Sequence, residues 1–291
     1  HCAKKRQSGV SYIAIDQLSR ETLMRIGFIG TGAMAQAIAR GAVASGVDPA
    51  TLVFSNRTAA KACDLADELG ATAASSNASL ARQADIVILA VKPKDQRAVI
   101  KEISPIVVGR TDVCVVSLAA GRTLDQITTD FGAGIPLVRV MPNVAATVGQ
   151  SMTALTAARA SDAQVAAVRS LMDSVGRTIL IDEDYFPVFQ ALASCSPAWY
   201  FQIVDSFARA GLKHGLSKDS AVEIAAQAMA GAATLLLAER EAGTIPAQLI
   251  DRVTSPGGTT IAGLLAAEEG GLSTALVGAV DASIHADSHL G

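Results

Sequence analysis

Three stretches of the chain carry residue types and spacings with chemical potential. The first is Arg25-Ile26-Gly27-Phe28-Ile29 running directly into Gly30-Thr31-Gly32-Ala33-Met34-Ala35. This is a G-x-G-x-x-A pattern at the end of an apolar run and the opening of a helical one. Gly30 permits a tight turn, Gly32 lets backbone approach a pyrophosphate, and Ala35 allows helix and strand to pack closely. A helix starting here presents free N–H groups and a positive dipole end to phosphate oxygens.

The second stretch, Ser55-Asn56-Arg57-Thr58, closes the next apolar run, Leu52–Ser55. Dinucleotide sites that select NAD usually place an acid here, on the ribose 2′-hydroxyl. This loop has no acid. Arg57 can pair with a 2′-phosphate, and the neighbouring hydroxyls and amide can bond its oxygens. NADP(H) is therefore the expected cofactor, with NAD(H) possible, against the plainer reading of Arg57 as a solvated loop residue.

The third stretch is Asp251-Arg252-Val253-Thr254-Ser255-Pro256-Gly257-Gly258-Thr259-Thr260-Ile261-Ala262-Gly263. Pro-Gly-Gly between two helical segments exposes backbone N–H groups, and a helix starting at the threonines attracts a carboxylate. The hydroxyls of Thr259 and Thr260 can bond a ring nitrogen. A simple helix–helix turn needs fewer small residues than this.

The remaining chemistry-bearing residues are sparse. His1, His285 and His289 lie near the termini, and His214 sits beside Gly215 at an expected helix end. Cys2, Cys63, Cys114 and Cys195 are scattered with no Cys-x-x-Cys pair, so neither a metal site nor a disulfide framework is expected. Cys195 is expected to be a small core residue. Lys92, in Val-Lys-Pro after a strand, is read as a loop-setting or cofactor-side residue rather than a catalytic one.

The elements that must position these residues follow from pattern. From Met24 to about Gly176, apolar β-branched runs (Arg25–Ile29, Leu52–Ser55, Ile86–Val91, Val113–Leu118, Leu137–Met141) alternate with alanine-rich helical stretches such as Ala33–Ser45 and Ala59–Leu69. That alternation predicts a parallel sheet covered on both faces. After about Asp184 no strand pattern remains. Helices are expected over Pro187–Leu212, Lys218–Glu241, Pro246–Val253, Thr259–Glu269 and Leu272–Ser288, with Gly215, Gly243 and Gly270 turning left-handed past helix ends and Pro246 in a first turn.

The expected organisation is thus an α/β fold: a Rossmann-type parallel-sheet domain over 24–184, then an all-α substrate and dimerisation domain over 185–291. Residues 1–23 are expected to be a tag or loose extension outside the fold.

Composition agrees. Of 291 residues half are hydrophobic but only 4% aromatic, so alanine dominates the apolar content and suits closely packed helices. The net charge of −3, without a basic block, gives no reason to expect a nucleic-acid partner. No apolar run approaches the ~18 residues of a membrane helix, so no membrane partner is expected and the cytoplasm is the expected location.

From Met24 onward the chain resembles the pyrroline-5-carboxylate reductase family. The resemblance rests on Gly27–Met34, Ala90-Val91-Lys92-Pro93, Ser117-Leu118-Ala119-Ala120-Gly121, Val140-Met141-Pro142-Asn143, Ser255–Gly263 and Glu268-Glu269-Gly270-Gly271-Leu272, in order and in spacing. It implies reduction of L-1-pyrroline-5-carboxylate to L-proline by hydride transfer from NAD(P)H, the last step of proline biosynthesis. It also implies an intertwined homodimer, often built into rings.

Carried onto this chain, the cofactor phosphates meet Gly30, Thr31, Gly32, Ala33 and Met34. Ser55, Asn56, Arg57 and Asn77 serve the adenosine half. Ala90, Val91, Lys92, Pro93, Leu118, Ala119 and Ala120 line the ribose and nicotinamide. The substrate falls to Ser255, Gly257, Gly258, Thr259 and Thr260, its carboxylate on the Gly258 and Thr259 N–H groups and its ring nitrogen on Thr260, the residue assigned to catalysis. One departure stands out. The family's usual Ser-Gly-Ser-Gly-Pro-Ala-Tyr reads Ala193-Ser194-Cys195-Ser196-Pro197-Ala198-Trp199 here, with Cys195 taken to stand near the missing second glycine.

Two other readings stay open. A related NADP-dependent reductase of another cyclic imine or of a β-hydroxy or keto acid shares the domain plan. Such acid dehydrogenases, however, use a lysine in the second domain, and Lys213 and Lys218, both near helix ends, are the only lysines after Lys101. A non-enzymatic nucleotide-sensing module needs no Ser-Pro-Gly-Gly-Thr-Thr block.

Overall fold

The computed structural model describes residues 24–287. The expectations for residues 1–23 and for Ser288 onward lie outside them.

Eight strands form one sheet in the order β3-β2-β1-β4-β5-β6-β7-β8. They are β1 (Ile26–Ile29), β2 (Leu52–Ser55), β3 (Thr72–Ala73), β4 (Ile86–Leu89), β5 (Cys114–Ser117), β6 (Leu137–Met141), β7 (Ser151–Ala158) and β8 (Gly176–Leu180). The strands from β3 through β6 pair in parallel. β7 then runs antiparallel to β6, and β8 parallel to β7.

Helices cover both faces: α1 (Ala33–Ala44), α2 (Ala59–Leu69), α3 (Asn77–Gln83), α4 (Pro93–Val107), α5 (Leu124–Phe131) and α6 (Asp162–Asp173). Alternate strand side chains point to opposite faces, so the strands feed two cores. Phe28, Phe54, Ile88 and Val116 pack with Ile38 of α1, Leu65 of α2 and Leu171 of α6. Ile29, Val87, Leu89 and Val115 pack with Leu80 of α3, Ile100 and Ile103 of α4 and Ile127 of α5. Double-sided burial is why these strands are continuous apolar runs.

The sheet extends further than the sequence pattern suggests. β7 is rich in alanine and threonine and β8 is half-exposed, so neither shows a clean apolar run or alternation.

The chain beyond β8 is helical. α7 (Phe186–Phe189) continues through a π-helical stretch, Gln190–Cys195, into α8 (Ser196–Lys213). Then come α9 (Lys218–Glu239), α10 (Pro246–Val253), α11 (Thr259–Glu269) and α12 (Leu272–Asp287). Gly215 and Gly243 turn left-handed as expected, but Gly270 does not. It stays right-handed at φ −70, and Gly271 makes the turn at φ +85. The helix still ends at Glu269 as expected, with Gly270 as a right-handed C-cap and the left-handed turn falling on Gly271.

These helices make little core of their own. Ala221 is the one buried residue of α9, and α10, α11 and α12 have none. Phe201 and Phe207 of α8 are 69% and 64% exposed. The helical segment Lys218–Ala242 has the extent expected within a residue, but it is more apolar than the absence of a long apolar run suggests. Its best 18-residue window has a mean hydropathy of 1.6 and is 6% buried, so by length and composition it passes as a membrane span.

Candidate active site

The carboxyl ends of β1, β2, β4 and β5 open into one cavity of about 1220 Å³. Such crevices, where the strand order reverses between β1 and β4, are where open α/β sheets take their ligands. Gly30–Met34, Ser55–Arg57, Asn77, Ala90–Pro93 and Leu118–Ala120 all line it. The structure thus gathers every position expected to meet the cofactor into one site.

The glycine turn has the shape a dinucleotide requires. Gly30 has φ +100, and a Cβ there would sit 2.7 Å from the Ala90 carbonyl oxygen, so only glycine fits. Its N–H donates to the Ser55 carbonyl at 2.7 Å, tying the turn to the end of β2. Around Gly32 nothing lies within 4 Å of where a Cβ would be, which leaves room for a pyrophosphate. Gly32 is also the N-cap of α1 and supplies no side chain to its N–H groups, which keeps them for an anion.

The adenosine end divides its donors. Ser55 Oγ donates to Asn77 Oδ1 at 2.7 Å, and Asn77 Nδ2 donates to Glu102 Oε2 at 2.7 Å. Asn56 Oδ1 accepts from the Thr31 N–H at 3.3 Å, and its Nδ2 donates to the Thr58 carbonyl at 3.0 Å. Ser55 and Asn56 are therefore spent on holding the loops. The cations left on this wall are Arg57 and Lys61, the second absent from the sequence reading although it follows Arg57 by one helical turn.

At the other end, the buried Gln96 Nε2 donates to Ser117 Oγ at 2.7 Å, and Ser117 Oγ accepts from the Ala119 N–H at 3.3 Å. This pair fixes the Leu118–Ala120 loop. Lys92 occupies the N-cap of α4, with Pro93 opening the helix, on the cofactor side of the sheet. Asn143, after β6, donates through Nδ2 to the Ala193 carbonyl at 2.8 Å and brings the π-helical stretch against the cavity, where Ser194 joins the lining. Asn143 closes the Val140–Asn143 segment, where its residue type alone signals no role, and Ser194 carries no signal of its own in the sequence.

The expected substrate block is placed elsewhere. Ser255, Gly257, Gly258, Thr259 and Thr260 form the exposed turn between α10 and the start of α11, and none lines the cavity in a single chain. The turn itself has the expected form. Gly258 is the N-cap of α11 with no side-chain cap, and a Cβ on it would lie 2.3 Å from Ser255 Oγ.

Cys195 is half-buried rather than a core residue. Aligned on Pro197-Ala198, it falls at the motif's second serine, and the two glycine places hold Ser194 and Ser196. Ser196 Oγ donates to the Leu192 carbonyl at 2.6 Å, as serines do inside helices. His214 is the exposed C-cap of α8. Among the described residues no cluster of three His, Cys, Asp or Glu is placed to hold a metal.

Known proteins share this arrangement over nearly the whole chain. Residues 183–290 match the family model described as pyrroline-5-carboxylate reductase dimerisation, and residues 25–121 match one described as NADP oxidoreductase, coenzyme F420-dependent. A pyrroline-5-carboxylate reductase of Glycine max is 35% identical, covering 89% of this chain and 93% of its own. That of Escherichia coli is 36% identical, covering 88% and 94%. The structure of such a reductase from Coxiella burnetii superposes with a TM-score of 0.88 at 32% identity, over 92% of this chain and 99% of that one. The Plasmodium falciparum pyrroline carboxylate reductase with NADP bound gives 0.77 at 25% identity, over 92% and 98%. Relatives at 35% and 36% identity, matched over nearly nine-tenths of this chain and more than nine-tenths of their own, show that the chain belongs to the pyrroline-5-carboxylate reductase family.

Proposed function

We propose that the cavity at the carboxyl ends of β1, β2, β4 and β5 holds NADP(H) while the α10–α11 turn holds the substrate. The enzyme reduces L-1-pyrroline-5-carboxylate to L-proline and is an NADP-dependent oxidoreductase of proline biosynthesis. The observation that carries the assignment of the site is the shared cavity: the open backbone at Gly32 and the acid-free loop at Arg57 line one wall of the same space.

The cofactor, when bound, supplies hydride to the electrophilic imine carbon of the ring. The chain's own work is then positioning and charge. The uncapped first turn of α1 meets the pyrophosphate, and Arg57 with Lys61 meets the 2′-phosphate. Ser117, held by Gln96, fixes the loop that carries the nicotinamide end. Gly258 and Thr259 offer N–H groups to the substrate carboxylate, and the Thr260 hydroxyl orients the ring nitrogen. No strong acid is required when the imine binds already protonated.

The helical half is a dimerisation module, so the enzyme is a homo-oligomer. We infer that a second copy covers the exposed faces of α8 to α12 and that its α10–α11 turn completes the site. We infer further that dimers assemble into rings, on the breadth of apolar surface left on these helices. The free thiols of Cys63, Cys114 and Cys195 suit the reducing cytoplasm as its location.

The test is NADPH oxidation by the purified full-length protein with pyrroline-5-carboxylate, set against other cyclic imines and against β-keto acids. Turnover of the five-membered imine acid alone supports the assignment. Faster turnover of a keto acid overturns it.

A further inference from the structure

The hydrogen-bonded chain Ser55–Asn77–Glu102 ends on a carboxylate with nothing to do in the mechanism above. Glu102 lies on the exposed side of α4 yet lines the cavity, as do Ala98 and Val99 of the same helix and Ala74 after β3. These three lining neighbours are small and apolar.

Hydrogen-bond direction is fixed along the chain. A carboxylate can only accept, so the atom of Asn77 at 2.7 Å from Glu102 Oε2 is its amide nitrogen. The Asn77 oxygen is then the atom that accepts from Ser55, also at 2.7 Å. The groups left over include the second N–H of Asn77 and the second oxygen of Glu102. They offer an adjacent donor and acceptor among small apolar lining residues.

We propose that Asn77 and Glu102 read the amino edge of the cofactor's adenine, with Glu102 as the specificity-determining residue. Adenine offers an N6 amino donor next to the N7 acceptor, the complement of this pair, and N7 stays an acceptor in hypoxanthine. Hypoxanthine, with a carbonyl oxygen in place of the amino group, sets an acceptor against the carboxylate. The proposal rests on NADP(H) occupying this cavity.

The experiment titrates full-length protein, without imine, with NADPH and with its hypoxanthine analogue, following the fluorescence of the reduced nicotinamide. Wild-type protein should bind NADPH about tenfold or more tighter than the analogue, the range of one hydrogen bond to a charged group. Glu102→Ala should bring the two within about twofold of each other, chiefly by loosening NADPH. In Glu102→Gln the one acceptor oxygen is taken by Asn77, leaving amide donors toward the base, so the preference should swing toward the analogue. Equal wild-type affinities, equal weakening of both ligands by Glu102→Ala, or no gain for the analogue in Glu102→Gln would each overturn the role of Glu102. In all three cases NADPH still binds. Failure of wild-type protein to bind either dinucleotide would sink the assignment of the cavity itself.

Discussion

Arg139, on β6, donates through Nη1 to Glu183 Oε1 at 2.8 Å, and the same oxygen accepts the Leu124 N–H at 2.9 Å. The Arg139 side chain is 6% exposed, and its guanidinium lies 4.2 Å from the centre of the Phe186 ring. One carboxylate thus ties the sheet, the first turn of α5 and the entry to the helical half. Removing one partner of a buried pair leaves an uncompensated charge and costs ~3–5 kcal/mol. Glu183 is partly exposed, so Glu183→Ala should destabilise by about 3 kcal/mol, the lower end of that range. Urea denaturation at fixed protein concentration measures it. A loss no greater than that of an ordinary surface substitution would show the pair to be dispensable.

Arg57→Ala should raise the Michaelis constant for NADPH far more than for NADH. A charge-assisted phosphate contact contributes ~1.5–3 kcal/mol, roughly tenfold to a hundredfold. Ser55 and Asn56 are bonded within the protein, so they should not compensate. Lys61 is the neighbouring cation, and Lys61→Ala in the Arg57→Ala background should deepen the loss. Equal effects on the two dinucleotides would remove the 2′-phosphate from this loop.

Burial alone pushes the Cys114 thiol up to about 12. The unfolded chain's thiol ionises near its ordinary value, about 8.5, while the folded one stays neutral. Its raised folded value means that the stability it lends is complete below about pH 8.5 and declines from there toward pH 12. The slope from this group is ~1.4 kcal/mol per pH unit. Cys114→Ala should flatten that alkaline limb in pH-dependent unfolding curves. An unchanged slope would assign the alkaline loss to other groups.

The parts of the fold legible in the sequence are those whose burial is complete within one chain. β1, β2, β4, β5 and β6 lie within two residues of their apolar runs because helices cover both faces. β7, spelled Ser-Met-Thr-Ala-Leu-Thr-Ala-Ala, carries too little β-branched bulk to announce itself. At the site, glycine spacing and the missing acid pointed to the cofactor positions. Glu102 gives no signal in the sequence, because an acid on the polar face of a helix reads as solvated until Asn77 is placed beside it. Pattern alone does not place Thr260 relative to the cavity: in one chain its turn is exposed and lines no part of it.

Those surfaces give a prediction of their own. Phe201, Phe207, Leu235 and Leu237 are exposed in one chain, and a helix that is apolar on several faces is stable only when buried nearly all round. Sedimentation at low protein concentration should show no monomer. A fully active monomer would refute both the interface and the shared site.

Thr260 carries the sharpest test of the substrate site. The N–H groups at the start of α11 are backbone, and no side-chain change removes them. The Thr260 hydroxyl is separable. Thr260→Val keeps its shape and deletes its hydrogen bond to the ring nitrogen. A hydrogen bond to a charged group contributes ~1.5–3 kcal/mol, so kcat/KM for pyrroline-5-carboxylate should fall roughly tenfold to a hundredfold. NADPH affinity, measured by fluorescence titration without substrate, should barely move, because every cavity residue except Ser194 lies on the other domain. A matched fall in NADPH affinity would mean that the substitution had disturbed the assembly rather than a contact. A valine variant that reduces the imine at the wild-type rate would leave Thr260 as no more than part of a helix turn. The substrate would then have to be sought at Ser194, the one residue of the π-helical stretch that lines the cavity.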